Sequence, residues 1–382
     1  MEAPIRILYM CETFQKGGVE QYILNVLDYI GSDQFEIEIA LPGEYIHPNE
    51  HALIERHVKV HHYAIDSTKK QIESIHDILY ANHYDIVHVM QANLFLNEST
   101  LFALAVLHMR RKLKYKVILH SHNSAHMSTQ TSFILRKLAR SALHGILRRF
   151  FGRADACAAC SREAGLFLFG KHRKFTILNN GILLSKFQRN DTTDVMKALR
   201  EKYCIPTGTP VISTVARLSA EKNLLSAVDI ICELRKFCPQ VIGCMVGDGP
   251  MREEIRTYIH KRGMDESIHM LGIQDKVEEI LSFSDCLLLP SIFEGSPLIL
   301  LEAQASNVYV FCSDRVPHGG DCGGCTFIPL EQSADEWALR IYKTMQAERS
   351  PKINAEKMSC FDIRRTVFEL ENYYRSVICS EI

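Results

Sequence analysis

Short apolar runs of strand length alternate with helical repeats along nearly the whole chain. The first run, Ile5 to Met10, is followed by apolar residues at the helical period from Val19 to Ile30. Strands that alternate with helices in this way form parallel sheets covered by helices. Because ligands of such sheets bind at the carboxyl ends of the strands, the pattern also predicts where a site lies.

The predicted strands fall into two sets, separated by a polar stretch, Ser185 to Asp194, in which the hydrophobic periodicity lapses. A chain of 382 residues is long enough for two domains with separate cores, so we place the domain boundary in that stretch. The further strands of the first set are 86–90, 117–119, 156–160 and 175–178. Those of the second set are 211–216, 241–246, 268–271, 286–289 and 308–312.

Charge and hydropathy exclude two classes of protein. A net charge of −1 offers no general positive field, which argues against nucleic acid as a partner. The N-terminus lacks the basic and long apolar regions of a secretory signal, and no eighteen consecutive residues are apolar. We therefore expect a cytoplasmic protein.

The thirteen cysteines are expected to be buried thiols, since no secretory signal precedes them. Cys157 and Cys160 lie in a strand-like stretch, where residues three apart face opposite sides. Cys322 and Cys325 flank two glycines, a better geometry for a metal or redox pair. The two pairs are too far apart for a zinc ribbon, so we expect no metal site.

A helix start follows the fourth predicted strand of the second set. Ser296 suits the N-cap and Pro297 the first helical position, so the amides of Leu298 and Ile299 should point beyond the helix without partners. Such an end attracts phosphate.

Two glutamates, Glu294 and Glu302, bracket this turn and helix start, with Gly295 in the turn. Glu302 lies one turn after Leu298 on the same face, so its carboxylate can reach hydroxyls beside a bound anion. The alternative is that both carboxylates are merely solvated, although the apolar neighbours of Glu302 argue against this.

Two other groups of polar residues stand at predicted strand ends. Arg217 and Lys222 precede a helix, where a guanidinium binds phosphate oxygens bidentately and a lysine adds a point charge. His120 and His122 follow strand 117–119, and their titration near neutral pH suits hydrogen bonding or proton transfer. Simple solvation of the basic pair and a structural role for the histidines remain open.

Gly17 and Gly18 form the turn between the first strand and the first helix. Glycines there let backbone amides approach an anion closely, although the sequence is not a G-x-G-x-x-G fingerprint. The alternative is a plain tight turn.

The spacing of Glu294 and Glu302 resembles the glutamate, seven residues, glutamate motif of family 4 retaining glycosyltransferases with the GT-B fold. The resemblance spans nearly the whole chain, and the sequences of the motifs are most similar to those of bacterial capsular and exopolysaccharide transferases. Other segments agree with the family in the same order: Gly17 to Glu20, His120 to Asn123, Asn180 to Ile182, Ala216 to Asn223, Gly247 to Pro250 and Leu271-Gly272.

The resemblance implies two Rossmann-like, doubly wound parallel-sheet domains that face each other across a cleft. Residues 1–185 would form the acceptor-side domain and 186–365 the nucleotide-sugar domain, with a last helix in 366–382 crossing back to the first domain. The implied reaction moves a hexosyl or N-acetylhexosaminyl group from a nucleotide diphosphate sugar to a glycan or lipid-linked acceptor of a surface polysaccharide. Uridine is a family-based preference, and the resemblance implies no metal or cofactor.

The resemblance also assigns roles to residues. His120, His122 and Glu294 would be catalytic, with His120 the first choice of the two histidines. Glu302 would hold the ribose, while Glu294 would orient the hydroxyls of the donor in a front-face mechanism without a covalent nucleophile. The residues expected to bind the donor are Gly17, Gly18, Arg217, Lys222, Gly272, Ile273, Gly295, Ser296, Pro297, Leu298, Ile299 and Glu302.

Some residues depart from the family pattern. Ala216 replaces the usual glycine before Arg217, and Leu183 stands where an aspartate often follows Asn-Gly-Ile. Ser306-Asn307 interrupts a turn that usually contains glycine, and the glycine-rich segment 319–324 is unusual. Two competing functions remain, a non-hydrolysing sugar-nucleotide epimerase and a catalytically silent nucleotide-sugar-binding partner of a transferase.

One segment, Phe133 to Arg153, reads as a basic amphipathic helix. Ile134, Leu138, Ala142, Ile146 and Phe150 recur every four residues, and arginines and a lysine flank that stripe. Such a helix can lie on an anionic membrane at the inner face of the cell and bring the site to a lipid-linked acceptor. The alternative is a helix whose apolar stripe faces the core of its domain.

Overall fold

The structure, a computed structural model, describes residues 3–15, 17–43, 46–90, 92, 94, 98–123, 134–188, 193–347 and 350–380, without the side chains of 98, 99, 134–142 and 193–196. It divides into two compact units. The first contains residues 1–181 and 363–382, and the second contains residues 182–362. The sequence prediction places these boundaries at 185/186 and 365/366.

The first unit is built on a seven-stranded parallel sheet of order β3-β2-β1-β4-β5-β6-β7. Its strands are β1 Ile5–Met10, β2 Phe35–Pro42, β3 Val60–Tyr63, β4 Ile86–Val89, β5 Lys116–Ser121, β6 Ala156–Ala159 and β7 Thr176–Ile177. Its helices before the second unit are α1 Gly18–Tyr29, α2 His51–Ile54, α3 Thr68–Asn82, α4 Glu98–Leu113, α5 Ile134–Phe151 and α6 Arg162–Phe169.

The second unit is built on a six-stranded parallel sheet of order β10-β9-β8-β11-β12-β13. Its strands are β8 Val211–Val215, β9 Ile242–Val246, β10 Ile268–Gly272, β11 Cys286–Leu289, β12 Tyr309–Ser313 and β13 Cys325–Ile328. Its helices are α7 Thr193–Lys202, α8 Leu224–Leu234, α9 Arg252–Lys261, α10 Val277–Phe283, α11 Leu298–Ala305, α12 Ala334–Ala347 and α13 Ala355–Ser359. The strand order reverses between β8 and β11, and crevices for ligands form at such a reversal.

The last helix, α14 Ile363–Cys379, belongs to the first unit. Tyr374 on this helix is fully buried, and the Glu371 carboxylate accepts a hydrogen bond from the Gly31 amide at 3.0 Å. Lys116 Nζ donates to the Ser380 carbonyl at 2.6 Å. The end of the chain is therefore part of the core of the first unit.

Helix α5 packs differently from the predicted stripe. Leu147 and Phe151 are buried, whereas Ile146 is 55 % and Phe150 40 % exposed. The alternative in which Ile146 and Phe150 face the core is therefore wrong, because the buried residues each lie one position later in the chain. Phe133 lies outside the described residues, as do the side chains of Ile134, Leu138 and Ala142.

All thirteen cysteines are free thiols. Seven are buried, four are partly buried, and Cys204 and Cys379 are exposed, so the expectation of burial fails outright at these last two positions. Among the helices of the described residues, none is long and apolar enough to span a membrane.

Candidate functional site

Lys222 and Glu294 form an ion pair at the carboxyl edge of the second sheet. Lys222 Nζ donates to both carboxylate oxygens of Glu294, at 2.7 and 2.8 Å. Their side chains are 20 % and 8 % exposed. The two residues follow β8 and β11, neighbouring parallel strands whose carboxyl ends lie on the same edge. A cation and a carboxylate are thus held together where a doubly wound sheet binds its ligands.

The pair is supported by residues that sequence reasoning missed. Ser291 Oγ donates to Glu294 Oε1 at 2.9 Å, and buried Ser313 donates to the Ser291 carbonyl. Asn223 has a positive φ of 52° and donates from Nδ2 to the Pro290 carbonyl at 3.2 Å. The loops after β8 and β11 are therefore fastened together. The available signal was the position of Ser291, two residues after the buried strand β11.

Arg217 is exposed and lies at the end of β8. The loop that carries it is locked to the next one, since Leu218 N donates to the Asp248 carbonyl at 2.9 Å and Met251 N to the Leu218 carbonyl at 3.0 Å. A Cβ at Gly247, whose φ is 128°, would stand 1.9 Å from the Ala216 carbonyl oxygen. This close approach of backbones requires glycine and fixes the position from which Arg217 extends.

Helix α11 begins one residue later than predicted. Its N-cap is Pro297, with φ −70° and ψ 120°, so Ser296 is not the cap and Leu298 is the first helical residue. Proline fits the cap because its ring fixes φ in a range that extended backbone also uses. The amides of Leu298 and Ile299 have no partner within the helix, as predicted for the first turn. Gly295 and Ser296 are partly exposed beside this helix start.

Glu302 lies on α11 and is partly buried. Burial raises the pKa of the Glu302 carboxyl from 4.5 to about 7, with Lys186 opposing and Glu278 adding to the shift. Lys186 Nζ lies 3.2 Å from the Glu278 carboxylate. The surroundings of Glu302 therefore contain one cation and a second carboxylate, and its charge changes near neutral pH.

We expect Glu302→Gln to stabilise the second unit above pH 7. A raised pKa means that the folded state holds the proton more tightly than the unfolded state does. The stabilisation from protonated Glu302 is therefore complete below pH 4.5 and is lost as the pH rises to about 7. Glutamine imitates the protonated acid, so the variant should match the wild type near pH 4.5 and exceed it at pH 8. Urea unfolding followed by the fluorescence of Trp337, the single tryptophan, measures this difference. Equal stabilities at pH 8 would contradict the expectation.

Gly272 ends β10 with a φ of 66°, and a Cβ there would meet nothing within 4 Å. Ile273, directly after it, is 52 % exposed. Both lie at the same carboxyl edge as Arg217, because β8, β9 and β10 are parallel neighbours. An exposed apolar side chain thus lies at the same edge of the sheet as the basic residues, two strands away from β8.

Gln304 ties the glycine-rich segment 319–324 to α11. Its amide nitrogen donates to the Gly320 carbonyl at 2.9 Å, and its oxygen accepts from the amides of Cys322 at 2.7 Å and Gly324 at 3.2 Å. Cys322 is buried in this arrangement, and Cys325 lies in β13. Among the described residues, no group of three or more metal-ligating side chains lies close enough together to hold an ion.

In the first unit, Gly17 is the N-cap of α1 and Gly18 its first residue. A Cβ at Gly17 would lie 2.6 Å from Glu20 Oε2, the end of a flexible side chain that can move, so the fold does not require glycine there. A Cβ at Gly18 would meet nothing within 4 Å. The backbone of this turn is therefore open to the approach of an anion.

We expect Gly18→Ala to weaken binding of an anion at this turn about 10- to 100-fold, since overpacking by a methyl group costs about 1–3 kcal/mol. The melting temperature should not fall, because alanine favours a helix over glycine. Gly145→Ala, in an equally open position of α5, is the matched control. Unchanged affinity in Gly18→Ala would show that the ligand does not approach this helix start.

His120 and His122 lie inside the first unit and not on a strand-end surface. His120 belongs to β5 itself, and the rings of the two residues stand 4.1 Å apart between centroids. His88 stacks on His120 at 5.2 Å, and its Nε2 lies 3.2 Å from His120 Nδ1. Both predicted histidines are buried, with exposures of 0 % for His120 and 6 % for His122.

Burial keeps these histidines neutral. It lowers the pKa of His88 and of His122 to about 3, and it lowers that of His120 well below 6.5, with neighbouring imidazoles adding to the effect on His88 and His120. The prediction that they titrate near neutral pH is therefore wrong. Among the described residues, neither ring nitrogen of His122 has a hydrogen-bond partner. Nε2 of His120 has none there either.

Comparison with known proteins agrees with this fold. The family description "Glycosyltransferase Family 4" matches residues 16–186, and "Glycosyl transferases group 1" matches residues 195–320. EpsF of Bacillus subtilis, a protein named for glycosyltransferase activity, is 30 % identical over 268 residues, which cover 67 % of each chain. An Escherichia coli UDP-Gal:alpha-D-GlcNAc-diphosphoundecaprenol alpha-1,3-galactosyltransferase is 28 % identical over 157 residues, 39 % of this chain and 38 % of that one.

Solved structures share the architecture at low sequence identity. The crystal structure of Anabaena HepE in complex with UDP has a TM-score of 0.77 at 16 % identity, covering 97 % of this chain and 100 % of HepE. WaaG, a glycosyltransferase involved in lipopolysaccharide biosynthesis, has a TM-score of 0.69 at 13 % identity, covering 98 % of this chain and 100 % of WaaG. The predicted two-domain class is confirmed: the chain belongs to glycosyltransferase family 4 and is a hexosyl-transferring enzyme with the GT-B fold.

Proposed function

We propose that this enzyme transfers a hexosyl or N-acetylhexosaminyl group from a UDP-sugar, with retention of anomeric configuration, to a glycan or lipid-linked acceptor in surface polysaccharide synthesis. The observation that carries the proposal is the placement of Arg217, the Lys222–Glu294 pair and the start of α11 at one edge of the second sheet. This edge offers cations and amides to a diphosphate. HepE, a structural neighbour, was crystallised with UDP and with UDP-glucose.

Charge development during the reaction supports this placement. Cleavage of the anomeric bond leaves negative charge on the nucleotide diphosphate, which the Arg217 guanidinium, Lys222 and the amides of Leu298 and Ile299 would stabilise. Glu302 would accept hydrogen bonds from the ribose hydroxyls, most strongly when it is ionised above pH 7. These groups would stabilise the diphosphate and hold the ribose without a resident metal or cofactor.

Glu294 suits an orienting role better than that of a nucleophile. A covalent nucleophile needs a carboxylate free to attack the anomeric carbon. Both oxygens of Glu294 accept from Lys222, and one also accepts from Ser291. The pair instead forms a fixed acceptor for hydroxyl groups of the donor sugar. This supports a front-face mechanism with retention.

A nucleotide panel tests the donor. UDP, GDP, ADP and TDP are added separately in thermal denaturation, where a ligand at 100 times its Kd stabilises the folded protein by about 2.7 kcal/mol. We expect the largest shift with UDP, followed by transfer from UDP-sugars to a glycan or polyprenyl-diphosphate acceptor with an unchanged anomeric configuration by NMR. Inverted product would contradict retention, isomerised donor would indicate an epimerase, and binding without turnover would indicate a silent partner.

We also propose that the C-terminal half of α5 contacts an anionic membrane. Ile146 and Phe150 are exposed, and the Arg153 guanidinium lies 4.8 Å from the centroid of the Phe150 ring. Arg148 does not take part, because its guanidinium donates to the Phe167 carbonyl at 2.7 Å. The exposed basic residues in this half of α5 and directly after it are Arg149 and Arg153.

Liposome flotation tests this contact. Each basic residue near an anionic surface contributes about 1 kcal/mol, so Arg149→Gln/Arg153→Gln should weaken binding to phosphatidylserine vesicles by about 30-fold. Arg340→Gln/Lys343→Gln, on the exposed face of α12, is the control with the same loss of charge. Equal flotation of the two double variants would contradict the proposal.

A further inference from the structure

A chain of hydrogen bonds runs from the last helix to His120 through the core of the first unit. Tyr9 Oη and Tyr374 Oη are 2.6 Å apart, Tyr374 Oη lies 2.9 Å from His88 Nδ1, and His88 Nε2 lies 3.2 Å from His120 Nδ1. All four side chains have 0 % exposure, so bulk water cannot replace any of these partners. They come from β1, α14, β4 and β5.

The number of protons limits how this chain can be arranged. Each tyrosine hydroxyl and each neutral imidazole carries one proton, and each bond uses one. If Tyr9 donates to Tyr374 and Tyr374 to His88 Nδ1, then His88 donates from Nε2 to His120 Nδ1. The proton of His120 is then on Nε2. This arrangement leaves one polar atom without a partner among the described residues, the N–H of His120 Nε2.

The opposite direction leaves one buried atom without a partner and, in addition, one tyrosine proton without an acceptor. If the proton of His88 is on Nδ1, Tyr374 accepts it, and one of the two tyrosine protons finds no acceptor within the chain. His120 then donates from Nδ1, and its Nε2 becomes a bare lone pair. Because an unpaired buried polar group is costly, the first arrangement is favoured.

We propose that Tyr374 and His88 are positioning residues that hold His120 as the tautomer protonated on Nε2. His120 then offers a hydrogen-bond donor, and not a base, at Nε2. Because the side chain is fully buried, an oxygen atom of the substrate meets this donor only after the neighbouring rings of Tyr22 and His122 have shifted. The catalytic part of this inference rests on the proposed transferase function, whereas the tautomer does not. The last helix would in this way control the chemistry of His120 through His88.

The tautomer is measured by NMR of ¹⁵N-labelled histidine rings in the full-length protein, with His120 assigned from the spectrum of His120→Gln. We expect the wild type to show His120 protonated on Nε2. In Tyr374→Phe the donor to His88 is lost, so the Nδ1-protonated form of His120 should appear, and kcat should fall about tenfold with an unchanged KM for the donor. Nδ1 protonation in the wild type would overturn the proposal without any variant.

Two controls separate positioning from general damage to the core. Tyr9→Phe also removes a buried hydroxyl, but Tyr374 can still donate to His88, so the tautomer and kcat should remain those of the wild type. Tyr373→Phe changes the neighbouring residue, which takes no part in this chain. A His120 spectrum or a kcat that is unchanged in Tyr374→Phe, or altered equally in all three variants, would overturn the proposal. A wild type inactive with every nucleotide sugar would instead refute the transferase function and leave the spectrum interpretable.

Discussion

Lys222→Met should lower the free energy of unfolding of the second unit by about 3–5 kcal/mol, because it leaves the buried Glu294 carboxylate without its cation. Ser291 would remain as a donor, but a hydroxyl does not neutralise a charge. Trp337 is buried in this unit and is the single tryptophan, so its fluorescence during urea unfolding reports the second unit alone.

The double variant Lys222→Met/Glu294→Gln isolates the cause. Removing both charges should recover most of the lost stability, while transfer activity should stay at the low level of the single variant. Lys236→Met breaks an exposed pair with Glu233 and should change stability by less than about 1 kcal/mol. If Lys222→Met were no less stable than Lys236→Met, the buried pair would not have the structural role assigned to it.

Arg217→Met should reduce kcat/KM about 100- to 1,000-fold, equivalent to about 2.7–4 kcal/mol of transition-state stabilisation. The guanidinium is exposed, so unlike Lys222 its loss should leave the urea midpoint unchanged. Steady-state transfer kinetics with a UDP-sugar measure the effect.

The matched control for Arg217 is Arg256→Met, which removes an exposed arginine of α9 that lies 3.4 Å from Glu253. It should keep wild-type kinetics. Arg217→Lys should recover part of the activity, since a lysine keeps the charge but not the bidentate geometry. Wild-type kcat/KM in Arg217→Met would exclude this residue from stabilising the leaving diphosphate.

The sheets could be predicted where their strands are apolar throughout. The bounds of β1 and β11 are those that the sequence suggests, because parallel strands covered on both faces read as continuous apolar runs. Strand β2 was missed, since Glu36 and Glu38 interrupt its apolar residues. Strands β3 and β13, which begin with Val-His-His and Cys-Thr, were missed as well.

Glu38 shows why β2 could not be read from its own residues. Although burial alone would raise its pKa, hydrogen bonds from His61 and Tyr84 and the nearby Lys59 hold the pKa below its ordinary value. Arg6 NH2 also lies 3.0 Å from its carboxylate. These partners come from other elements, so the sequence around Glu38 gives no sign that a charge is compensated there.

The site could likewise be predicted only in part. Sequence position alone predicts that Arg217, Lys222 and Glu294 follow strands. The pairing of Lys222 with Glu294 and the support from Ser291 could not, because they depend on the adjacency of β8 and β11. The histidines were predicted to follow a strand that ends at residue 119, whereas β5 continues to Ser121 and buries His120.

The bond between Ile182 and Phe361, a backbone N–H to carbonyl contact of 2.9 Å, shows that the second unit begins and ends at one place. It is thus an insertion in the first unit, whose core still lacks Tyr374 when residue 362 has been made. During synthesis on the ribosome, the second unit can finish folding first. The N-terminal half must wait, with the space for α14 still open, until the final twenty residues emerge.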